Sequence, residues 1–423
     1  MRVLLEIYEG QIVRNLLENG LLGMLTAEKA EVLLLTPGAR VPSFAERFAC
    51  PGVTLEHLTV ASSWPRLERY EFALETMLGR KGHPGMQRAL WKQGGRRMVL
   101  RRAGQERALL ARWKPDVVVS THLSQVYGRC LVAEARQQGI PTVGNIMSWD
   151  NVWKGLRVRP DIVTCWSKNN QEEICQLAGY RTEQVKVIGA PAFDAYLADD
   201  ARWTRAQLCQ LFRLDATRPI LLFATLGQFH QNIDETNSLE VLLRAIDAGQ
   251  LPGRPQIVLR MHPWSHDAYF ARFARHPEVR LSRYENYVPG LGWTPTRDEA
   301  VLAGNLLRHA DVVVSPGSTM CIEAAIFDTP TVVPVFNEYM PEVFDVYFQQ
   351  FWLEQHFRRL YENKWIALAR SGAAMVAAIN DALTDDGWYR KGRQRIRDEY
   401  LGPLDGKATQ RLAAIILQEA KKR

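Results

Sequence analysis

Residues 311–334, DVVVSPGSTMCIEAAIFDTPTVVP, combine groups that suit the binding of an anion. The pattern predicts an apolar strand, a tight turn at Ser315 to Gly317, and a helix that opens at Ser318 and Thr319. The first amides of a helix lack internal partners, and the helix dipole favours negative charge there. Gly317 lets a phosphate approach the backbone, and the two hydroxyl side chains can cap the helix or donate to an oxygen. These residue types at this spacing therefore predict a phosphate site.

Two other strand exits and one carboxylate extend this prediction. Glu323 lies just over one helical turn beyond the phosphate turn, where it can accept a hydrogen bond from a ribose hydroxyl. Gly227 and Gln228 follow one predicted strand, and Arg260 and His262 stand at the end of the next. A neutral histidine can donate to a phosphate oxygen, and a charged one adds attraction. Because ligands bind at the carboxyl ends of strands in open α/β sheets, we expect all three exits to line one side of a cleft.

The first half also carries polar side chains after apolar strands, which suggests a second, acceptor-side wall. Asp150 can take the proton from an attacking hydroxyl, and His122 is the rival general base. Asp and Asn also close turns and cap helices, so a purely local role for Asp150 stays open. The residues of this wall are His122, Ser148, Trp149, Asp150, Asn151 and Lys154.

Several common sites are missing from the sequence. No GxGxxG follows the first predicted strand, and there is no GxxxxGK[ST] stretch, which disfavours dinucleotide and ATP sites. No DxD-type aspartate pair ends a strand in the expected place, and no cluster of metal-ligand residues is visible. We therefore expect neither a metal nor a cofactor. The charge on a departing nucleotide would be stabilised by the helix dipole, hydroxyls and basic side chains.

In the segments that carry these groups, short apolar runs are separated by helical patterns. This alternation restarts near residue 219. Such alternation indicates parallel sheets with helices on both faces. The predicted fold class is α/β, with two Rossmann-like doubly wound sheets that face a cleft. The predicted organisation is an acceptor-side domain (1–198), a linker (199–217), a nucleotide-donor domain (218–364) and helices that pack across both domains (365–423).

The distribution of charge indicates which partners the protein can attract. The chain has 423 residues and a net charge of +7, and eleven Lys or Arg stand against one acid, Glu106, between Arg80 and Lys114. A second basic run covers Arg390 to Arg397. Such patches attract polyanions or anionic lipid headgroups, although a solvated basic helix face explains them equally well. No nucleic-acid recognition module is present, and we expect no nucleic-acid partner.

The six cysteines show no CxxC pairing, which argues against structural zinc and disulfides and suits a reducing cytoplasm. No apolar run is long enough to span a membrane. The sequence thus predicts a cytoplasmic protein whose basic residues 80–114 can engage an anionic acceptor or, peripherally, the inner membrane face.

The motifs of the second half resemble those of GT-B glycosyltransferases. Arg260-Met261-His262-Pro263, followed by Ser318-Thr319 and Glu323-Ala324-Ala325, is similar to the donor half of bacterial surface-polysaccharide enzymes and CDP-glycerol glycerophosphotransferases. It is also similar to the HP and Ser/Thr motifs of transferases that use CMP-sugars. The resemblance implies that His262, Ser318, Thr319 and Glu323 contact a nucleotide-activated donor. Ser315-Pro316-Gly317 departs from the Asp-Tyr-Ser turn that is usual in glycerophosphotransferases.

Four further motifs resemble a run shared by uncharacterised relatives of that group. They are Ser148-Trp149-Asp150-Asn151 with Lys154-Gly155, Asp161 to Ser167, Gly189-Ala190-Pro191 with Asp194, and the closing Asp405-Gly406-Lys407-Ala408.

The resemblance implies a metal-independent glycosyltransferase. It would move a sugar from a nucleotide-sugar to a hydroxyl of a surface polysaccharide, such as a capsule of the cell envelope, or of a lipid-linked glycan. Three alternatives remain: transfer of glycerol phosphate from CDP-glycerol, a UDP-N-acetylglucosamine 2-epimerase-like activity, and a non-catalytic GT-B scaffold. The epimerase requires further acids and an arginine in a GTRPE-like stretch, which this sequence lacks.

Overall fold

The apolar runs of the sequence form strands because β-branched and leucine side chains fit the buried, pleated faces of a parallel sheet. The computed structural model describes residues 1–58, 104–121, 123, 129–149, 151–154, 156, 158–226, 235–263, 265, 267–342, 357–385 and 387–423, with only the backbone of Arg129, Trp153, Lys154 and Asp267. Its strands are β1 (Arg2–Glu6), β2 (Glu31–Thr36), β3 (Val53–His57), β4 (Val117–Ser120), β5 (Thr142–Asn145), β6 (Ile162–Cys165), β7 (Val185–Val187), β8 (Ile220–Ala224), β9 (Gln256–Arg260), β10 (Val279–Ser282), β11 (Tyr287–Val288), β12 (Gly292–Trp293), β13 (Val312–Val314), β14 (Thr331–Pro334) and β15 (Ala367–Ala369).

The α-helices separate the strands, as parallel connections require. They are α1 (Gly10–Ile12), α2 (Leu21–Ala27), α3 (Pro42–Phe48), α4 (Gly104–Trp113), α5 (Arg129–Gln137), α6 (Asn151–Lys154), α7 (Lys168–Ala178), α8 (Asp194–Leu197), α9 (Arg205–Phe212), α10 (Thr236–Asp247), α11 (Asp267–Phe270), α12 (Arg297–His309), α13 (Met320–Glu323), α14 (Arg358–Glu362), α15 (Gly372–Thr384), α16 (Arg390–Ile396) and α17 (Ala408–Ala420). A π-helical turn, Val13–Leu17, continues α1, and a 3-10 turn, Ala324–Phe327, continues α13.

The first compact unit, unit 1, comprises Met1–Ala195, Asn286–Arg297 and Gly402–Arg423. Among the described residues, its main sheet has seven strands, all parallel, in the order β3-β2-β1-β4-β5-β6-β7. Alternate residues of β1 bury against opposite layers, as the period of a strand demands. Leu5 packs in the cluster that includes α2 and α17, and Leu4 packs in the cluster of α4 and α5.

The second compact unit, unit 2, comprises Tyr196–Glu285 and Asp298–Leu401. Its six strands are also parallel, in the order β10-β9-β8-β13-β14-β15. Leu221 and Phe223 of β8 belong to a core cluster with residues of α10 and α15. The predicted pair of doubly wound parallel sheets is therefore confirmed.

A short antiparallel hairpin, β11–β12, returns from the second half of the chain to unit 1. The amide of Gly10 donates to the carbonyl of Leu291 over 2.9 Å. A Cβ atom at Gly10 would lie 2.1 Å from Oγ1 of Thr294, so only glycine permits this close approach. The hairpin thus lies beside the start of α1.

Candidate functional site

The connections of unit 2 leave in opposite directions at one point of its sheet. From β8 the chain continues to β9 and β10 on one side, whereas β13 continues to β14 and β15 on the other. Such a switch opens a crevice at the carboxyl ends of the two central strands, where α/β proteins bind ligands. Thr225 follows β8 and Ser315 follows β13. The phosphate turn predicted from the sequence therefore lies at the switch point of this sheet.

The turn after β13 is held by its own hydroxyl groups. Gly317 has φ 142°, a backbone conformation that residues with a side chain avoid. The buried Ser315 accepts the amide of Ser318 through Oγ over 3.2 Å, and Ser318 accepts the amide of Met320 through Oγ over 3.3 Å. Both distances lie at or just beyond the long end of the usual range for N–H···O bonds. The turn therefore presents amides and hydroxyls together.

The helix after this turn differs from the sequence prediction. It begins at Met320, has only four α-helical residues, and Thr319 makes no side-chain cap. The physical reason is that Thr319 already has helical dihedrals, φ −57° and ψ −20°, whereas a capping residue is extended. Its Oγ1 donates instead to Oε1 of Glu323 over 3.1 Å. Thr319 thus orients the carboxylate rather than the helix start.

Glu323 accepts a hydrogen bond from a second hydroxyl, which the sequence analysis did not predict. The buried Tyr196 donates its phenolic proton to Oε2 of Glu323 over 3.0 Å. Tyr196 lies in α8, far from Glu323 along the chain, and carries no motif that could reveal this contact. Each carboxylate oxygen of Glu323 is consequently held by a different hydroxyl donor.

His262 lies beside the switch point with its main chain fixed. Its amide donates to Oγ1 of Thr225 over 2.7 Å, and the hydroxyl oxygens of Thr225 and Ser265 lie 3.0 Å apart. Burial lowers the pKa of His262 to about 4. The imidazole is therefore neutral at pH 7, and it can meet a phosphate oxygen as a hydrogen-bond donor rather than as a cation.

Arg260 is fully buried and contacts the end of β10. Its Nη1 donates to Oγ of Ser282 over 2.7 Å and to the carbonyl of Arg283 over 3.2 Å. The guanidinium carbon lies 3.4 Å from the centre of the Tyr284 ring, a cation–π contact. Within the described ranges, Nε and Nη2 of Arg260 meet no hydrogen-bond acceptor. No described contact joins this guanidinium to the turn after β13.

The loop after β8 carries two of the predicted donor-side residues, Gly227 and Gln228, and both lie outside the described residues. Its two described ends are joined, because the amide of Leu226 donates to Oε2 of Glu235 over 2.6 Å. The structure therefore describes the base of this loop, beside Thr225.

In unit 1, the described residues of the predicted acceptor-side wall make packing and hydrogen-bond contacts within that unit. Trp149 is buried, and its ring packs edge-on against Trp166 at 4.8 Å between centroids. Oδ1 of Asn151 accepts the amide of Met147 over 2.8 Å, and the carbonyl of Ser148 accepts the amide of Asn151 over 3.3 Å. The predicted bases Asp150 and His122 lie outside the described residues, as does the side chain of Lys154.

Unit 1 has a switch point of its own, between β1 and β4. Glu6, at the end of β1, is fully buried and accepts the hydroxyls of Ser120 and, over 2.7 Å, Tyr8. Burial, with the nearby charge of Glu6, raises the pKa of Tyr8 well above its usual value, so this phenol stays a donor. The sequence signal that could have revealed this cluster is an acid at the end of an apolar strand.

The two motifs with Asp194 and Asp405 meet at the start of α17. Both carboxylate oxygens of Asp194 accept amides of that helix, from Ala408 over 3.0 Å and from Thr409 over 2.7 Å. Nη1 of Arg411, on the same helix, donates to the carbonyl of Ile188 over 3.0 Å. These motifs therefore attach the C-terminal helix to unit 1.

In the described part of the chain, no group of three or more His, Cys, Asp or Glu side chains is arranged to hold a metal ion. No described helix is long and apolar enough to cross a membrane. Most of the basic stretch 80–114 lies outside the described residues; residues 104–114 include α4.

Comparisons with known proteins identify solved structures with a similar fold. No family model matches the chain, and no curated protein matches it. A UDP-GlcNAc 2-epimerase from Neisseria meningitidis, solved with UDP-GlcNAc, is 12% identical, with a TM-score of 0.57 and 100% of both chains covered. A glycosyltransferase from Rickettsia africae is 11% identical, with a TM-score of 0.53, covering 100% of this chain and 99% of that one.

The wall teichoic acid polymerase TagF, solved with CDPG, is 12% identical, with a TM-score of 0.55, covering 100% of this chain and 89% of that one. The chain therefore has a GT-B-like fold, with two Rossmann-like sheets and C-terminal helices.

Proposed function

We propose that this protein is a metal-independent glycosyltransferase that moves a sugar from a nucleotide-activated donor to a hydroxyl of a surface polysaccharide or lipid-linked glycan. The observation that carries the proposal is the turn after β13. There Gly317, the amides of Ser318 and Met320, and the carboxylate of Glu323 meet at the switch point of unit 2. Such a set of groups suits a phosphate followed by a ribose.

In the proposed reaction, the acceptor hydroxyl oxygen bonds to the anomeric carbon as the bond from that carbon to the donor phosphate breaks. The proton of the hydroxyl passes to Asp150 or His122, and the nucleotide leaves with the bonding electron pair. The amides and hydroxyls of the turn, neutral His262 and the charge of Arg260 offset the negative charge that develops on the phosphate. Glu323 binds the ribose hydroxyls. Gly227 and Gln228 complete the donor side, and Ser148, Trp149, Asn151 and Lys154 shape the acceptor side.

Proteins with similar folds support this proposal and also suggest its alternatives. One similar structure is named a glycosyltransferase, and TagF was solved with CDPG, which keeps transfer of glycerol phosphate as an alternative. The epimerase solved with UDP-GlcNAc favours a second candidate, a UDP-GlcNAc 2-epimerase. A non-catalytic scaffold is the remaining alternative.

The first test is a thermal-shift panel of CMP, CDP, UDP, GDP and ADP on the wild type and His262→Ala. A nucleotide at a hundred times its Kd should stabilise the wild type by about 2.7 kcal/mol, and His262→Ala should lose most of this shift. His276→Ala is the matched control, because His276 lies at the other end of the sheet, before β10, where it contacts Asp247. If no nucleotide shifts the wild type, the proposal fails and the scaffold is favoured.

A second assay separates transferase from epimerase. The protein is incubated with UDP-GlcNAc alone, with and without EDTA, and the sugar is analysed by NMR. An epimerase forms the 2-epimer without an acceptor, whereas the proposed transferase leaves the donor intact until a glycan hydroxyl is supplied. Transfer that EDTA abolishes would contradict the metal-independent mechanism.

A further inference from the structure

We infer that Tyr196 is a positioning residue that orients Glu323 towards the two hydroxyls of a ribose, so that the site selects ribonucleotides over 2′-deoxyribonucleotides. The inference rests on the proposed function and goes beyond it, since it assigns selectivity to a residue outside the phosphate turn. It follows from the hydrogen bonds that hold the carboxylate of Glu323 and from the contacts of Tyr196 with α12.

The carboxylate of Glu323 is held from both sides. Thr319 donates through Oγ1 to Oε1 over 3.1 Å, and Tyr196 donates through its hydroxyl to Oε2 over 3.0 Å. Because each oxygen receives a different donor, the plane of the carboxylate is set by the protein. A glutamate on a helix otherwise samples several rotamers, and fixing one of them costs entropy when a ligand binds.

Tyr196 is itself held by helix α12. A Cβ atom at Gly304 of that helix would lie 3.0 Å from Cα and Cγ of Tyr196 and 3.1 Å from its Cβ. Nη2 of Arg308, one turn later, donates to the carbonyl of Tyr196 over 3.2 Å. The absence of a side chain at Gly304 therefore lets Tyr196 pack close to α12 and reach Glu323.

This arrangement matters for recognition of a diol. A carboxylate can accept from several donors at once, and two adjacent hydroxyls of a ribose are such donors. A site built to accept a hydroxyl discriminates against the analogue that lacks it. Without the hydroxyl of Tyr196, Oε2 of Glu323 would lose this donor, and the difference in affinity between a ribonucleotide and its 2′-deoxy form would shrink.

The experiment measures Kd by calorimetry for UDP and 2′-deoxy-UDP, and for CDP and 2′-deoxy-CDP. We expect the wild type to bind the better ribonucleotide about tenfold more tightly than its 2′-deoxy form. In Tyr196→Phe this ratio should fall to about threefold or less, mainly through weaker ribonucleotide binding. Tyr339→Phe is the matched control, because that hydroxyl also donates to a glutamate over 3.0 Å, at Glu240 in the same unit.

A double-mutant cycle separates positioning from direct contact. If Tyr196 acts through Glu323, the double variant Tyr196→Phe/Glu323→Gln should bind UDP or CDP as Glu323→Gln does, within about twofold. Additive losses would overturn the positioning role. Should Tyr196→Phe fail to fold by circular dichroism, Gly304→Ala displaces the same tyrosine and should lower the ratio similarly.

The outcomes distinguish this inference from the proposed function. A wild type that binds none of the four nucleotides overturns both. A wild type that binds a ribonucleotide, with a ribose-to-deoxyribose ratio unchanged in Tyr196→Phe, overturns the inference alone and leaves the nucleotide site intact. A ratio that falls equally in Tyr339→Phe would also overturn it, since the effect would then not depend on Glu323.

Discussion

At the scale of single residues, His262 shows how burial decides a chemical role. The sequence predicts a histidine at a strand exit and leaves its charge open. Burial lowers its pKa to about 4, while its amide is tied to Thr225. The neutral ring is suited to donate a hydrogen bond to an anion without the cost of burying a charge. Ordinary periodicity could not show this, because burial arises only when distant strands pair.

The same burial makes stability depend on pH. A histidine whose folded pKa lies below its unfolded value of 6.5 binds a proton more weakly in the folded state. Its contribution is complete above pH 6.5 and is lost as the pH falls through 6.5 towards 4, by up to about 3 kcal/mol. Urea unfolding at pH 7 and pH 4.5 should therefore show a steeper loss for the wild type than for His262→Gln. Equal losses in both proteins would contradict the buried, neutral histidine.

The sequence revealed the residue types of the candidate site more fully than it revealed their contacts. The predicted donor-side residues of the second half include one continuous stretch, the turn after β13 and α13, and their proximity follows from chain continuity. The tyrosine that completes the carboxylate comes from another element, and nothing in local spacing marks it. The buried Glu6 was visible as an acid ending an apolar strand, but its hydroxyl donors were not.

At the scale of elements, the strand, turn and helix around Gly317 appear in the predicted order, although the helix is shorter and starts later. Gly317 separates β13 from α13 with a backbone that other residues avoid. Parallel strands were predictable because their apolar runs are short and β-branched. The hairpin β11–β12 was not, because each of its strands has only two residues, too few to show an alternation.

Gly317→Ala tests this turn. At φ 142° an alanine is strained by about 1–3 kcal/mol, so the turn should shift and nucleotide binding should weaken at least tenfold by calorimetry. Gly249→Ala is the control, because Gly249 also has a positive φ, 68°, and an added Cβ there meets nothing within 4 Å. It should lower the free energy of unfolding by about 1 kcal/mol and leave nucleotide affinity unchanged. Unchanged affinity in Gly317→Ala would show that the turn does not hold the nucleotide.

At the scale of the whole molecule, unit 1 is assembled from three separate stretches of chain. The sequence predicted C-terminal helices that pack across both domains, and the structure assigns 298–401 to unit 2 and 402–423 to unit 1. The attachment is specific, because Asp194 accepts two amides at the start of α17 and Gly189 makes room for the carbonyl of Pro403. The last stretch of the chain is thus part of the core around β1.

Leu412→Ala tests this dependence. Leu412 of α17 is fully buried in the cluster that contains Val3 and Leu5, so the substitution should cost about 2–5 kcal/mol. Hydrogen exchange followed by mass spectrometry should show faster exchange in β1 peptides, while peptides of β8 keep their protection. Gln410→Ala, an exposed position on the same helix, should leave both unchanged. If β1 peptides of Leu412→Ala exchange at the wild-type rate, the prediction that α17 stabilises unit 1 is wrong.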